Sequence, residues 1–335
     1  MSCAETGDSA AGVVGQRVTH RLEFAQNPRP DQAGTIRPGR LRRPPIAAPI
    51  VSMVFVSTGG MSCESVLEAV ETLIGHGIGR IELSGGRHSE NLLADLQRLR
   101  DAAVFQVHNY FPPPPAPLVL NLGSLDAAVA EATLEHMGEA MRWAVALGRP
   151  VYSFHAGFLL DPAVSELGRR IAARPLYDRA ESMARFIERV GLLAREAAQL
   201  GVTLLIENNV VSAANFAEFG CDPLLMTGPD EAVHVMRNTP EEVGLLVDVA
   251  HLKVSARTLG YDPVVMLDRC ENWIRAYHLS DNDGTQDSND PVSADCWFWR
   301  HLKRNLDYYS IEVYRRSAEA LADQLRLVES MLAAA

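Results

Sequence analysis

The sequence predicts an α/β protein folded as a (β/α)8 barrel, on two observations: eight short β-branched or aromatic runs, and the helical patterns between them. The runs are "IVSMVFV" (50 to 56), "RIELS" (80 to 84), "VFQVHNY" (104 to 110), "VYSFHAG" (151 to 157), "TLLIENN" (203 to 209), "VGLLVDVAH" (243 to 251), "IRAYHLS" (274 to 280) and "YYSIEVY" (308 to 314). Strand and helix alternate eight times, and a parallel sheet closed into a barrel is the simplest architecture with that rhythm. A doubly wound open sheet is the alternative. No G-x-G-x-x-G turn follows the first run, and "STGG" (57 to 60) is too short to argue for a dinucleotide or phosphate loop.

The helices have readable ends. In "DRAESMARFIERVGLLAREAAQLG" (178 to 201), Met183, Ile187, Val190, Ala194 and Ala197 recur at steps of four and three. Asp178 can cap the start and Gly201 can end it. Similar patterns occupy residues 62 to 77, 124 to 148, 228 to 238 and 315 to 335.

Residues 1 to 45, rich in Gly, Pro and Arg, read as a peripheral N-terminal extension, which leaves 46 to 335 as one barrel domain. The chain begins without a basic, then apolar, leader and has no apolar stretch near the roughly 18 residues of a membrane span, so a cytoplasmic location is expected. Five scattered cysteines with no C-x-x-C pair give no basis for a disulfide framework or a cysteine zinc site. A net charge of −11 weighs against a nucleic-acid partner without removing it, and a homo-oligomer is open.

Catalytic groups of such barrels sit at the C-terminal ends of the strands. Here those ends carry His108, His155, Glu207, Asp248 followed by His251, His278 and Glu312. A single strand-end histidine is usually a hydrogen-bonded structural group. Several carboxylates and imidazoles around one mouth are different, because unpaired buried charges cost several kcal/mol each and a divalent cation relieves that cost. Carboxylate and imidazole donors suit Mn2+, Zn2+, Co2+ or Mg2+.

The motifs "LLIEN", "GLLVDVAH", "AYHLSDNDG" and "SIEVY", in this order at the ends of strands five to eight, resemble the xylose isomerase-like barrel superfamily over residues 46 to 330. That superfamily includes sugar-phosphate isomerases and epimerases and the endonuclease IV branch. The resemblance implies one metal held by Glu207, Asp248, His278 and Glu312, with Glu207 and Glu312 also exchanging protons with a sugar carbon. It implies that His251, in a D-x-x-H arrangement with Asp248, binds a substrate oxygen or a second metal. Asn208 and Lys253 stand beside these groups as candidates for the oxygen-binding shell, although Lys253 reads equally well as a solvated lysine.

The endonuclease branch uses three metals, and His108 and His155 stand where two of its further ligands would be. That branch has an aspartate and a histidine two residues apart after strand seven. This chain has Asp287 and Asn289, and an amide is a poor zinc ligand. A metal-dependent isomerase or epimerase of a small sugar or hydroxy-ketone is therefore the leading reading, ahead of a lyase on the same scaffold, a phosphodiesterase and a non-catalytic binding barrel. Asp281 and Asp283 are expected to orient their loop or the His278 imidazole. Trp297, Phe298 and Trp299, together with the prolines after strand three, are candidates for a wall around the mouth, with burial in the core as the plainer reading.

Overall fold

The computed structural model describes residues 54–63 and 65–334. The proposed extension 1 to 45, and the beginning of the first predicted strand, lie outside them. All eight predicted strands are present within that range: β1 (Val54–Ser57), β2 (Arg80–Leu83), β3 (Val104–His108), β4 (Val151–His155), β5 (Thr203–Glu207), β6 (Gly244–Asp248), β7 (Ile274–Leu279) and β8 (Tyr309–Ile311). Each pairs in parallel with its sequence neighbour, and β8 returns to β1, closing the barrel.

The helices are α1 (Val66–Gly75), α2 (Leu92–Arg98), α3 (Ala127–Ala146), α4 (Arg179–Leu200), α5 (Ala213–Phe219), α6 (Pro229–Asn238), α7 (Val249–Leu259), α8 (Pro263–Cys270) and α9 (Ala318–Ala333). Asp178 caps α4 by accepting from Glu181 N, and Gly201 ends it in the left-handed conformation, φ 68°. The buried face of α4 is broader than the predicted stripe. Phe186 and Leu193 are buried, while Ile187 and Ala194 are half-buried.

The sixth strand is shorter than its apolar run. "VAH" (249 to 251) opens α7 because Asp248 caps that helix, its Oδ1 accepting from Ala250 N at 2.7 Å and His251 N at 2.8 Å. Asp248 therefore ends a strand and starts a helix, which places His251 in the first turn of α7 rather than on the strand.

Alternation along the strands divides the core in two. Val56, Ile81, Val107, Phe154, Ile206, Val247 and Ile311 face outward and pack with the helices. Phe55, Leu205, Leu246, Ala276 and Tyr308 face inward and fill the barrel. Below them the Arg149 guanidinium lies 4.9 Å from the Phe55 ring centre and donates from Nε to Gln106 at 2.7 Å. Arg149 and Gln106 thus occupy the end of the barrel opposite the ionisable strand ends. No helix among the described residues is long and apolar enough to cross a membrane.

Candidate metal centre

Two residues further along five of the strands, the inward positions change from apolar or neutral to ionisable. Leu205 leads to Glu207, Leu246 to Asp248, Ala276 to His278, Gln106 to His108 and Ser153 to His155. The registers set them level: Glu207 is the partner of His155, and Asp248 of His278. Glu312 lies one residue beyond β8, and its backbone N–H donates to Leu279 O at 3.1 Å, which keeps it in line with the strand.

His278 Nδ1 is the centre of the group. It lies 3.1 Å from Glu312 Oε2, 3.4 Å from Glu207 Oε1 and 3.9 Å from Asp248 Oδ2. Glu207, Asp248 and His278 are fully buried, and Glu312 nearly so. Both Glu207 carboxylate oxygens, Asp248 Oδ2 and His278 Nδ1 are buried with no hydrogen-bond partner. One donor atom from each of the four residues falls within 4.8 Å of the others.

An orphaned buried carboxylate oxygen costs the full desolvation of that atom, and several in one place repel. A divalent cation removes both penalties, and donors sharing an ion at bond lengths of about 2.0–2.2 Å are separated much as these are. The residues fit a cation.

The electrostatics agree. Burial, reinforced by Asp287, Glu207 and Glu312, pushes Asp248 up to about 8, so without a cation this carboxyl tends to keep its proton. Burial works in the same direction on Glu312, but His278 outweighs it and holds Glu312 at about 2. For Glu207 the burial effect is likewise overcome, chiefly by His155 and His278, and its pKa lies well below the usual range. His278 is raised well above the ordinary histidine value despite burial, because Glu82, Glu207 and Glu312 surround it.

Three further histidines ring Glu207. His108 Nε2 lies 3.4 Å from its Oε2, His155 Nε2 3.6 Å from the same atom, and His251 Nδ1 3.5 Å from Oε1. Glu207, His108 and His155 form a second group with donor atoms within 4.8 Å of one another. His251 Nδ1 also bonds Asn208 O at 3.0 Å, and its Nε2 faces Asp287 Oδ2 at 3.3 Å. Asn289 donates to that same Asp287 oxygen at 3.4 Å.

Three other candidates lie outside this cluster. Both ends of the Asn208 side chain are engaged with the Asp248 backbone: Asp248 N donates to Oδ1 at 2.9 Å, and Nδ2 donates to Asp248 O at 3.2 Å. Asn208 ties β5 to β6 under the carboxylates rather than presenting its amide to the mouth. Lys253 points into the loop after β7, donating to Asp281 Oδ1 at 2.7 Å and to Asn282 O. Trp297 is half-buried against the outer core beside Phe298 and His301, and Phe298 and Trp299 are core residues.

Asp281 does orient its loop, through Lys253 and through a two-way backbone bridge with Asp290. Asp283 caps the turn at Thr285. The His278 imidazole is oriented from elsewhere. Its Nε2 lies 2.9 Å from Glu82 Oε2, and the Tyr308 hydroxyl donates to the same oxygen. Glu82 was not among the sequence candidates, although "RIELS" ends in the same inward position as the later strands. Tyr314, also missed, donates to Glu312 Oε1 at 2.8 Å.

A closed parallel barrel with carboxylates and imidazoles converging at its C-terminal mouth defines the class of protein. The chain belongs to the xylose isomerase-like TIM barrel family, whose model matches residues 76–327. No curated protein matches it.

Among solved structures, a D-tagatose 3-epimerase-like protein superposes with a TM-score of 0.61 at 19% identity, covering 84% of this chain and 100% of that one. The TTHB071 protein from Thermus thermophilus, soaked with zinc chloride, gives 0.54 at 25% identity, with 82% and 96% covered. D-psicose 3-epimerase from Clostridium cellulolyticum, with D-tagatose, gives 0.56 at 11% identity, with 82% and 89% covered.

Proposed function

We propose that the protein is a divalent-metal-dependent isomerase or epimerase of a small sugar or related hydroxy-ketone. The observation that carries this reading is the pair Glu207 and Glu312. These two buried carboxylates come from strands well separated around the barrel, yet both reach His278 Nδ1, at 3.4 and 3.1 Å. Glu207, Asp248, His278 and Glu312 would hold the ion. When bound, it would draw electron density from adjacent carbonyl and hydroxyl oxygens of the substrate and so acidify the intervening C–H.

The protein's own groups then move the proton. One glutamate takes the α-proton as a general base, and the C–H electron pair passes into the enediolate. Return of a proton to the opposite face of the same carbon, from the other glutamate, gives the epimer. Return to the neighbouring carbon gives the aldose–ketose isomer. Burial within the mouth excludes water that would compete for the proton. The fold neighbours, among them a D-tagatose 3-epimerase-like protein, a D-psicose 3-epimerase and a protein soaked with zinc, support the substrate class and the cation.

The test is solvent-deuterium incorporation at the α-carbons of D-tagatose, D-psicose and D-fructose, with and without added Mn2+. Metal-dependent exchange is expected in at least one ketose. Absence of exchange in protein shown to contain the ion would overturn the reading for these sugars.

A further inference from the structure

Glu82 is a fourth buried carboxylate of the barrel interior, yet it stands on the far side of His278 from the other three. Its Oε2 meets His278 Nε2 at 2.9 Å and also accepts from the Tyr308 hydroxyl. Tyr308 Oη is 3.2 Å from Ser153 Oγ, which is 2.9 Å from His108 Nδ1. His108 Nε2 returns to Glu207 Oε2 at 3.4 Å. The chain of contacts is closed: it leaves the carboxylate cluster through His278 and re-enters it through His108.

We propose that Glu82 is the positioning residue of the candidate centre, selecting the His278 tautomer with hydrogen on Nε2 so that the Nδ1 lone pair faces Glu207, Asp248 and Glu312. The inference rests on the metal reading above for its purpose, but its geometry stands on its own. A neutral imidazole donates through one nitrogen and accepts through the other, so a carboxylate acceptor on Nε2 decides which nitrogen is left for a cation. Nδ1, the nitrogen left over, is the one buried without a partner.

Glu82 also lies within ligand distance of His108 and His278, so it could instead be a ligand itself. Oε2, the oxygen facing His278, already receives two donors and so acts as a fixed acceptor, while Oε1 is buried without a partner, and the count of bound equivalents decides between the two roles. Tyr308 holds that acceptor in place, its hydroxyl kept protonated by burial and by the adjacent Glu82 charge.

Two variants and two probes test this. Glu82→Gln keeps the shape and removes the charge; Tyr308→Phe leaves Glu82 untouched and removes one of its donors. Titration with Co2+ alone should show weakening of about 10–100-fold for Glu82→Gln and less for Tyr308→Phe, with metal-free melting temperatures close to the parent. Long-range 1H–15N spectra of the metal-free parent, recorded above the pH at which His278 sheds its second proton, should show the single Nε2–H tautomer, and the Glu82→Gln spectrum a mixture.

Unchanged Co2+ affinity with an unchanged tautomer in Glu82→Gln overturns the proposal. So does loss of one bound equivalent, which would make Glu82 a ligand. If the parent binds no Co2+, the metal reading fails, and the tautomer spectra alone decide the role of Glu82.

Discussion

The Tyr314 hydroxyl donates to Glu312 Oε1 at 2.8 Å, which leaves Oε2 as the oxygen that faces His278. Burial and the Glu312 charge raise the Tyr314 pKa well above its usual value, so the hydroxyl stays protonated and remains the donor. The space for it comes from the turn after β1. A Cβ on Gly59 would sit 2.9 Å from Tyr314 Oη and 2.8 Å from Ser84 Oγ. The "STGG" stretch thus has a packing role: its glycines let the chain after β1 approach the tyrosine.

Tyr314→Phe should lower turnover by about 10-fold or more, since hydrogen bonds to charged groups contribute roughly 1.5–3 kcal/mol. Initial-rate measurements on an exchanging ketose would show the loss in kcat with KM little changed. A parent-like kcat would mean that Glu312 needs no such support.

Glu312→Gln removes a charge from the candidate centre and a proton acceptor together. The fold should survive, because Gln is isosteric, while deuterium exchange should fall by several orders of magnitude. Exchange at the parent rate would remove Glu312 from the chemistry.

Asn208→Ala strips both partners from the Asp248 backbone in a fully buried setting. Leaving those groups unpaired costs about 1–3 kcal/mol each, so a lower melting temperature is expected in the metal-free protein, with weaker Co2+ binding through the displaced Asp248. Thermal unfolding followed by circular dichroism gives the first, and titration the second.

Burial pushes His155 down to about 4, against the attraction of Glu207. An unfolded histidine takes up its proton near 6.5, whereas the folded one resists until about 4. The unfolded state therefore binds more protons in this window, and stability contributed by neutral His155 is lost as pH falls from about 6.5 to 4. Asp248, held at about 8, binds its proton in the folded state over the same interval and opposes this slope, so the readout is the difference between proteins: in chelator-treated samples the parent's denaturant midpoint should fall relative to that of His155→Asn as pH drops from about 6.5 to 4.

Metal analysis of the purified protein separates a single centre from a larger one. One equivalent fits the site of Glu207, Asp248, His278 and Glu312. Two or more would bring in His108, His155, His251 and Asp287, which already surround Glu207 or face one another at 3.3–3.6 Å. That count would favour the phosphodiester reading, which needs several ions.

Much of this was legible in the chain. A strand run ending in an ionisable residue, repeated from strand three to strand eight, was sufficient to place His108, His155, Glu207, Asp248, His278 and Glu312 at one mouth, because a barrel forces all strand ends to one rim. The period of two along each strand did the rest, turning Leu205 and Glu207, or Leu246 and Asp248, to the same inward side. What the local pattern misjudged was where elements stop. "VAH" (249 to 251) is as apolar as a strand tail, and only the cap that Asp248 makes turns it into helix.

The sequence by itself determined the barrel, its order and the ring of candidate ligands, since these follow from periodicity and from which residues end each strand. Only the tertiary structure decided how each ligand is aimed. Glu82 and His278 are 196 residues apart, and Tyr314 finds room only because Gly59, in the turn after the first strand, makes none of the contacts a side chain would. Hydrogen bonds between distant strands leave no trace in local spacing. It is those bonds that determine which atom of His278 and which oxygen of Glu312 face the centre.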